Sequence, residues 1–153
     1  MKIINYAICI LLLVFAYDLE SNPINKVTYA LWDKPDVDIS YTLPKEINKD
    51  TKVLFIIHGQ SRDIKKYLNL WLDASKNKNV ILVAPHFKKE NYPYFATLET
   101  ATSSGKILKN QSNNLRDSIS SFYNYFHSKY NLKTSTYLIF GFSAGSQFVH
   151  RYL

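Results

Sequence analysis

The sequence predicts an α/β fold, with a mostly parallel sheet and helices flanking it. Three short apolar runs, rich in β-branched residues, are typical of strands buried on both faces: residues 52–57, 80–85 and 136–140. Two segments with apolar residues at helical spacing lie between these runs. Strands that alternate with helices form parallel βαβ units, and sites in such sheets lie at the carboxyl ends of the strands.

The remaining elements follow from local patterns. Residues 27–32 are predicted as a first strand, and residues 37–43 alternate with period two, which is typical of a half-buried, antiparallel strand near an edge. Asp63 is a candidate cap for the first helix. The apolar stripe of that helix is Ile64, Tyr67, Leu68, Trp71 and Leu72. The stripe of the second helix is Leu115, Ile119, Phe122 and Phe126. Residues 86–112 show no clear period and predict a long loop, a common location for part of a site.

Composition limits the function classes. With 153 residues, 46% of them hydrophobic and 20% charged, the chain amounts to one globular domain. The formal net charge is +7, but the lysines are scattered and do not alternate with aromatic residues. This pattern predicts a solvated basic surface and no nucleic-acid partner. Nothing in the sequence indicates a metal or an organic cofactor.

The N-terminus has the pattern of a secretory signal peptide. Lys2 precedes an apolar run from Ile3 to Ala16, which is shorter than the roughly 20 residues that span a bilayer. We expect residues 1–16 to be the signal peptide and residues 17–153 to be the folded domain. The product would then be periplasmic or secreted. The alternative is an uncleaved segment that anchors the protein to the membrane.

The pentapeptide Gly141-Phe142-Ser143-Ala144-Gly145 is the strongest functional signal. It joins a β-prone apolar run to a segment suited to a helix, which is the setting in which Gly-x-Ser-x-Gly indicates a nucleophilic serine. The turn is so sharp that Ser143 sits on a strained backbone with its hydroxyl pointing outward. Gly141 and Gly145 are required because strand and helix press together there. The alternative is a glycine-punctuated strand end.

An oxyanion hole is predicted from two backbone N–H groups. The first belongs to Ala144, at the N-terminus of the helix after the serine. The second belongs to Gln60, in the turn His58-Gly59-Gln60 that follows the first buried strand, where Gly59 lets the backbone approach closely. A plain strand-to-helix turn is the alternative interpretation of His58 and Gly59.

These two motifs, in this order, resemble the α/β-hydrolase superfamily. The run 141–152 is similar to secreted esterases of the polyhydroxyalkanoate-depolymerase and feruloyl-esterase type, as are residues 55–59 and 82–87. The resemblance implies a serine hydrolase acting on a small or polymeric carboxylic ester. It also implies an acidic residue and a histidine that follow the serine in the chain.

The sequence departs from that pattern after Ser143. Ten residues follow Ser143, none of them is acidic, and His150 lies about 10 Å along the helix at 1.5 Å per residue. His86 is a candidate for lining the pocket, with a loop histidine as the alternative, and His127 has no predicted role. We therefore expect a partial α/β-hydrolase domain that ends after the nucleophile elbow, the sharp turn at Ser143, and that is inactive alone. The alternative is a non-catalytic exported α/β protein, either a pseudoenzyme or a binding module.

Overall fold

A computed structural model of the protein describes residues 23–153, which form a five-stranded mixed sheet with helices on both faces. The predicted signal peptide, residues 1–16, lies outside the described residues. The strands are β1 (Asn25–Tyr29), β2 (Val37–Thr42), β3 (Lys52–Ile57), β4 (Val80–His86) and β5 (Leu138–Gly141). The helices are α1 (Ile64–Ser75), α2 (Ser118–Lys129) and α3 (Ala144–Tyr152).

The sheet order is β1-β2-β4-β3-β5. The strands β4, β3 and β5 are mutually parallel, whereas β2 pairs antiparallel with both β1 and β4. The parallel strands are the three apolar runs predicted from the sequence, and the period-two segment is the antiparallel β2. The carboxyl ends of β4, β3 and β5 therefore meet at one edge of the sheet, where the predicted site residues follow them.

Each face of the sheet has its own apolar cluster. On one face, α2 and α3 pack against alternate residues of β2, β3 and β4, and the centre of this cluster is aromatic: Phe55, Phe87, Phe122, Phe126 and Phe148. On the other face, α1 covers Leu54, Ile56, Leu82 and Ala84 with Tyr67 and Leu68. Asp63 caps α1, because its carboxylate accepts a hydrogen bond from the N–H of Lys66 at 3.0 Å.

Three elements differ from the sequence prediction. The first strand is shifted toward the N-terminus of its predicted range, because it pairs with β2 from Asn25 to Tyr29. Leu115 is buried but precedes α2. The strand β5 was predicted to be buried on both faces, but Leu138 is 58% exposed and Phe140 is 38% exposed. Among the described residues β5 is an edge strand, so its face on the α1 side is only partly covered.

The segment between β4 and α2 is mostly irregular, as predicted, but it is packed. It contains one 3₁₀ turn, Phe95–Thr97, and an isolated bridge between Ala101 and Ile107. Phe87, Tyr92, Phe95 and Leu98 from this segment are buried in the larger apolar cluster. No helix within residues 23–153 is long and apolar enough to cross a membrane.

Candidate active site

Ser143 lies on the turn between β5 and α3 with its backbone in a conformation that is rare for a residue with a side chain. Its φ is 55° and its ψ is −118°. The residue is exposed, and its carbonyl oxygen accepts hydrogen bonds from the N–H groups of Ser146, at 3.0 Å, and Gln147, at 3.3 Å. A backbone conformation of this kind costs of the order of 1–3 kcal/mol in proteins. The hydrogen bonds of the first turn of α3 hold Ser143 in it.

The two glycines of the motif lie where no other residue fits. A Cβ atom on Gly141 would lie 2.2 Å from the carbonyl oxygen of Gly145. A Cβ atom on Gly145 would lie 2.3 Å from the carbonyl oxygen of Ile57 and 2.6 Å from that of His58. The start of α3 thus presses on both β5 and the end of β3, and this contact makes the turn at Ser143 sharp.

The turn after β3 lies against the turn at Ser143. A Cβ atom on Gly59 would be 3.3 Å from the carbonyl oxygen of Phe142, and the N–H of Phe142 reaches the carbonyl oxygen of Ile57 at 3.4 Å. The predicted oxyanion donors belong to these two turns. Within residues 23–153, neither the N–H of Ala144 nor the N–H of Gln60 has a hydrogen-bond acceptor.

His58 is buried and both of its ring nitrogens are occupied. The Nε2 atom accepts a hydrogen bond from the N–H of Phe87 at 3.1 Å, so the proton is on Nδ1, which donates to the carbonyl oxygen of Gly59 at 2.9 Å. Burial lowers the pKa of His58 to about 4. His58 is therefore a neutral residue that ties the turn after β3 to the end of β4, and it has no nitrogen free to act as a base.

Replacing His58 with leucine is expected to cost about 3 kcal/mol of unfolding free energy at pH 7, because it leaves the buried N–H of Phe87 without an acceptor. The cost depends on pH. The pKa of His58 is 6.5 in the unfolded chain and about 4 in the folded protein. As pH falls, His58 binds a proton in the unfolded chain before it does so in the folded protein. The contribution of His58 to the free energy of unfolding is therefore lost between pH 6.5 and 4.

Urea unfolding of both proteins at several pH values measures this effect. The difference between wild type and His58→Leu should shrink toward zero as pH falls from 7 to about 4, in line with roughly 1.4 kcal/mol per pKa unit. The exposed His150 is the matched control, and His150→Leu should change stability by less than about 0.5 kcal/mol. A difference for His58→Leu that stays constant over this pH range would contradict the buried, neutral state.

The other histidines are separate from the serine. His86 is half-buried at the end of β4, His127 lies in α2 beside the ring of Tyr123, and His150 is exposed on α3. In the described part of the chain, no histidine nitrogen forms a hydrogen bond with the hydroxyl of Ser143, and no histidine forms an ion pair with an acidic side chain. No group of three potential metal ligands occurs within residues 23–153.

Arg62, which no pattern in the sequence marks, joins the turn after β3 to the long loop. Its backbone N–H donates to the carbonyl oxygen of Gly59 at 3.1 Å. Its guanidinium donates to the carbonyl oxygens of Phe87 and Pro93 and lies 4.7 Å from the centre of the Phe95 ring. No sequence motif marks this role, because the acceptors are backbone carbonyls and φ at Arg62 is 56°.

Glu99 is a buried acidic residue near this junction. One carboxylate oxygen accepts a hydrogen bond from the N–H of Tyr94 at 2.5 Å. Burial raises the pKa of Glu99 to about 7, and the Tyr94 hydrogen bond and the charge of Arg62 oppose that shift. The contacts of Arg62 hold the long loop against the turn after β3, and the hydrogen bond between Glu99 and Tyr94 closes a turn within the loop itself.

Comparison with solved structures shows the class of fold. No protein-family model matches the chain, and a search among curated proteins finds no match. A poly(aspartic acid) hydrolase from Sphingomonas sp. KT-1 superposes with a TM-score of 0.75 and 24% identity over 86% of this chain and 51% of its own. A poly(3-hydroxybutyrate) depolymerase from Bordetella parapertussis gives 0.72 and 22% over 86% of this chain and 46% of its own.

An acetyl xylan esterase from Aspergillus awamori is also similar, with a TM-score of 0.59 and 20% identity over 85% of this chain and 47% of its own. These similarities, all below 25% identity, establish the fold. The chain has the α/β-hydrolase fold that the sequence motifs predict, and it spans about half the length of these solved structures.

Proposed function

We propose that the chain carries the nucleophile and oxyanion hole of a serine hydrolase that cleaves carboxylic esters. The observation that supports this most is the exposed Ser143 on a left-handed backbone between an edge strand and a helix. The N–H groups of Ala144 and Gln60, which have no acceptor among residues 23–153 and lie in two turns that contact each other, provide the second half of the proposed site.

In the proposed reaction the oxygen of Ser143 attacks the ester carbonyl carbon and forms a tetrahedral intermediate. Its negative oxygen would be stabilised by the N–H groups of Ala144 and Gln60, and the N-terminus of α3 also favours negative charge there. The carbon–oxygen bond to the alcohol then breaks and leaves an acyl-serine, which water hydrolyses. A base must take the serine proton, and a proton must reach the departing alcohol.

We propose that none of the described histidines supplies the base. His58 is buried and neutral with both nitrogens in use, and His150 is exposed seven positions after the serine on α3. We propose that the acid and the histidine of the catalytic set are not provided by residues 23–153. The 153-residue chain should accordingly show no appreciable turnover alone.

The substrate class is part of the same proposal. Two of the similar solved structures are named for ester chemistry, one on a polyester and one on acetylated xylan. Both support a small or polymeric carboxylic ester as the substrate of the proposed hydrolase.

We also propose that the protein is exported and that its signal peptide is removed. N-terminal sequencing of the exported protein should then begin at Tyr17.

Hydrolysis of p-nitrophenyl acetate by the purified chain tests the proposal. We expect a rate far below that of a complete esterase, because proton transfer alone contributes about 10²–10⁴-fold. A small residual rate that disappears in Ser143→Ala would support the proposed nucleophile, because oxyanion stabilisation alone retains some acceleration. Fast turnover that depends on Ser143 would show that a base lies within the chain. A residual rate that Ser143→Ala leaves unchanged would contradict the nucleophile itself.

A further inference from the structure

A groove of about 370 Å³, lined by both polar and apolar side chains, lies on the sheet face that α1 only partly covers. Two cross-strand rows form its floor. Thr28 of β1 lies opposite Asp38 of β2, which lies opposite His86 of β4. Lys26 lies opposite Ser40 in the neighbouring row. Residues paired across strands have Cβ atoms about 5 Å apart, so these polar groups point into one space.

The only carboxylate among the residues that line the groove is already engaged. One oxygen of Asp38 accepts a hydrogen bond from the hydroxyl of Thr28 at 2.8 Å, and the other pairs with the ammonium of Lys88 at 2.6 Å. These two partners hold the pKa of Asp38 below its usual value. Its negative charge is therefore largely compensated and does not dominate the groove.

Three hydrogen-bonding groups of the groove remain available. Within residues 23–153, the ammonium of Lys26 has no acidic partner within 4 Å, and neither the hydroxyl of Ser40 nor the ring of His86 has a hydrogen-bond partner. Ser40 is buried, with 5% of its surface exposed, and its side chain lies on the floor of the groove. A cation and two groups able to donate hydrogen bonds suit an anion with several oxygen atoms.

We propose that this groove binds a carboxylate group of an extended ester substrate, an inference that rests on the proposed hydrolase function. The placement supports it, because His86 and Ser143 follow parallel strands at the same edge of the sheet. Two strand spacings separate β5 from β4, which carries His86, and four separate β5 from β1, which carries Lys26, so the lateral distances are about 10 Å and about 19 Å. A substrate arm of at least the shorter length joins the ester carbonyl to the groove.

Binding of the anion and protonation of His86 are thermodynamically linked. Burial lowers the pKa of His86, the charges of Lys88 and Arg62 add to the shift, and Asp38 and Glu90 oppose it. A carboxylate bound beside the ring favours the protonated form, so it raises the pKa of His86. By the same linkage the ligand binds more tightly as pH falls through that pKa.

The test is an NMR titration of the ¹⁵N-labelled chain with a tri-aspartate peptide. We expect saturable shifts centred on residues 26–28, 38–40 and 86, and a rise in the pKa of His86. Lys26→Gln should weaken binding by about fivefold, as expected for one solvent-accessible ion pair. Lys133→Gln, which removes a lysine outside the groove, is the matched control and should leave the affinity unchanged. Because the chain is basic overall, this control separates the groove from general charge attraction.

Two further ligands test whether binding requires a carboxylate and an extended ligand. Tri-asparagine with an acetylated N-terminus and an amidated C-terminus has the same length without any carboxylate and should not bind, whereas inorganic phosphate should bind more weakly than tri-aspartate. Equal binding of tri-asparagine, equal or tighter binding of phosphate, or equal losses in Lys26→Gln and Lys133→Gln would overturn the inference. Ser143→Ala should not change the titration. If tri-aspartate binds in the groove but Ser143 shows no reactivity, the proposed hydrolase function is contradicted. If Ser143 is reactive but tri-aspartate does not bind in the groove, only the inference about the groove is contradicted.

Discussion

Gly145→Ala is expected to destabilise the folded chain strongly. The added Cβ would lie 2.3 Å from the carbonyl oxygen of Ile57 and 2.9 Å from its carbonyl carbon. Both atoms belong to the backbone of β3, in the middle of the parallel part of the sheet, so neither moves without distorting strand pairing. Relief requires α3 to move away from β3, which would disturb the packing of Phe148 in the aromatic cluster. We expect a loss of more than about 3 kcal/mol, out of a total stability of about 5–15 kcal/mol.

Two other glycines provide graded controls. Gly105 has a φ of 88° and no atom within 4 Å of an added Cβ, so Gly105→Ala carries only backbone strain, about 1–2 kcal/mol. Gly59→Ala would meet the hydroxyl of Tyr67 at 2.6 Å, which is the end of a side chain, and its nearest backbone atom would be the carbonyl oxygen of Phe142 at 3.3 Å. The expected order of stability in urea unfolding is Gly105→Ala, then Gly59→Ala, then Gly145→Ala. A midpoint for Gly145→Ala equal to that of Gly105→Ala would contradict the close contact at the elbow.

Much of the fold was predictable because its signals are local. The continuous apolar runs of β3 and β4 reflect burial on both faces, and the alternation of β2 reflects one polar and one apolar face. The sequence of β5 is equally apolar, but Leu138 and Phe140 are exposed in the described chain. Local composition cannot distinguish a covered strand from an edge strand, since coverage depends on what packs against it.

The candidate site was predictable only where a motif has a steric cause. Gly141 and Gly145 stand out because strand and helix backbones touch there, and this contact leaves a recognisable spacing in the sequence. Arg62, by contrast, binds backbone carbonyls, which every residue possesses, so its partners leave no trace in the sequence. The polar floor of the groove depends on the register between β1, β2 and β4, which the alternation of single strands does not specify.

The second large effect is expected in the reactivity of Ser143. A fluorophosphonate forms a bond between phosphorus and the serine oxygen while the phosphorus–fluorine bond breaks, and fluoride and the serine proton are released to water. The transition state places negative charge on a phosphoryl oxygen. In the described part of the chain the N–H groups of Ala144 and Gln60 have no acceptor, so we expect them to stabilise that charge at Ser143 and not at other serines. Serine hydrolases without their catalytic triad retain roughly 10³–10⁴-fold acceleration from such donors and from substrate binding. We therefore expect slow but site-selective modification of Ser143.

Intact-mass and peptide mass spectrometry of the labelled 153-residue chain make this measurement, with folding verified by circular dichroism. Ser61→Ala is the matched control, since Ser61 is exposed beside the oxyanion turn and no role is assigned to its hydroxyl. We predict a single adduct on Ser143 that is present in wild type and Ser61→Ala and absent in Ser143→Ala. A folded chain that remains unmodified at Ser143, or that is modified equally at several exposed serines, would contradict the nucleophile elbow.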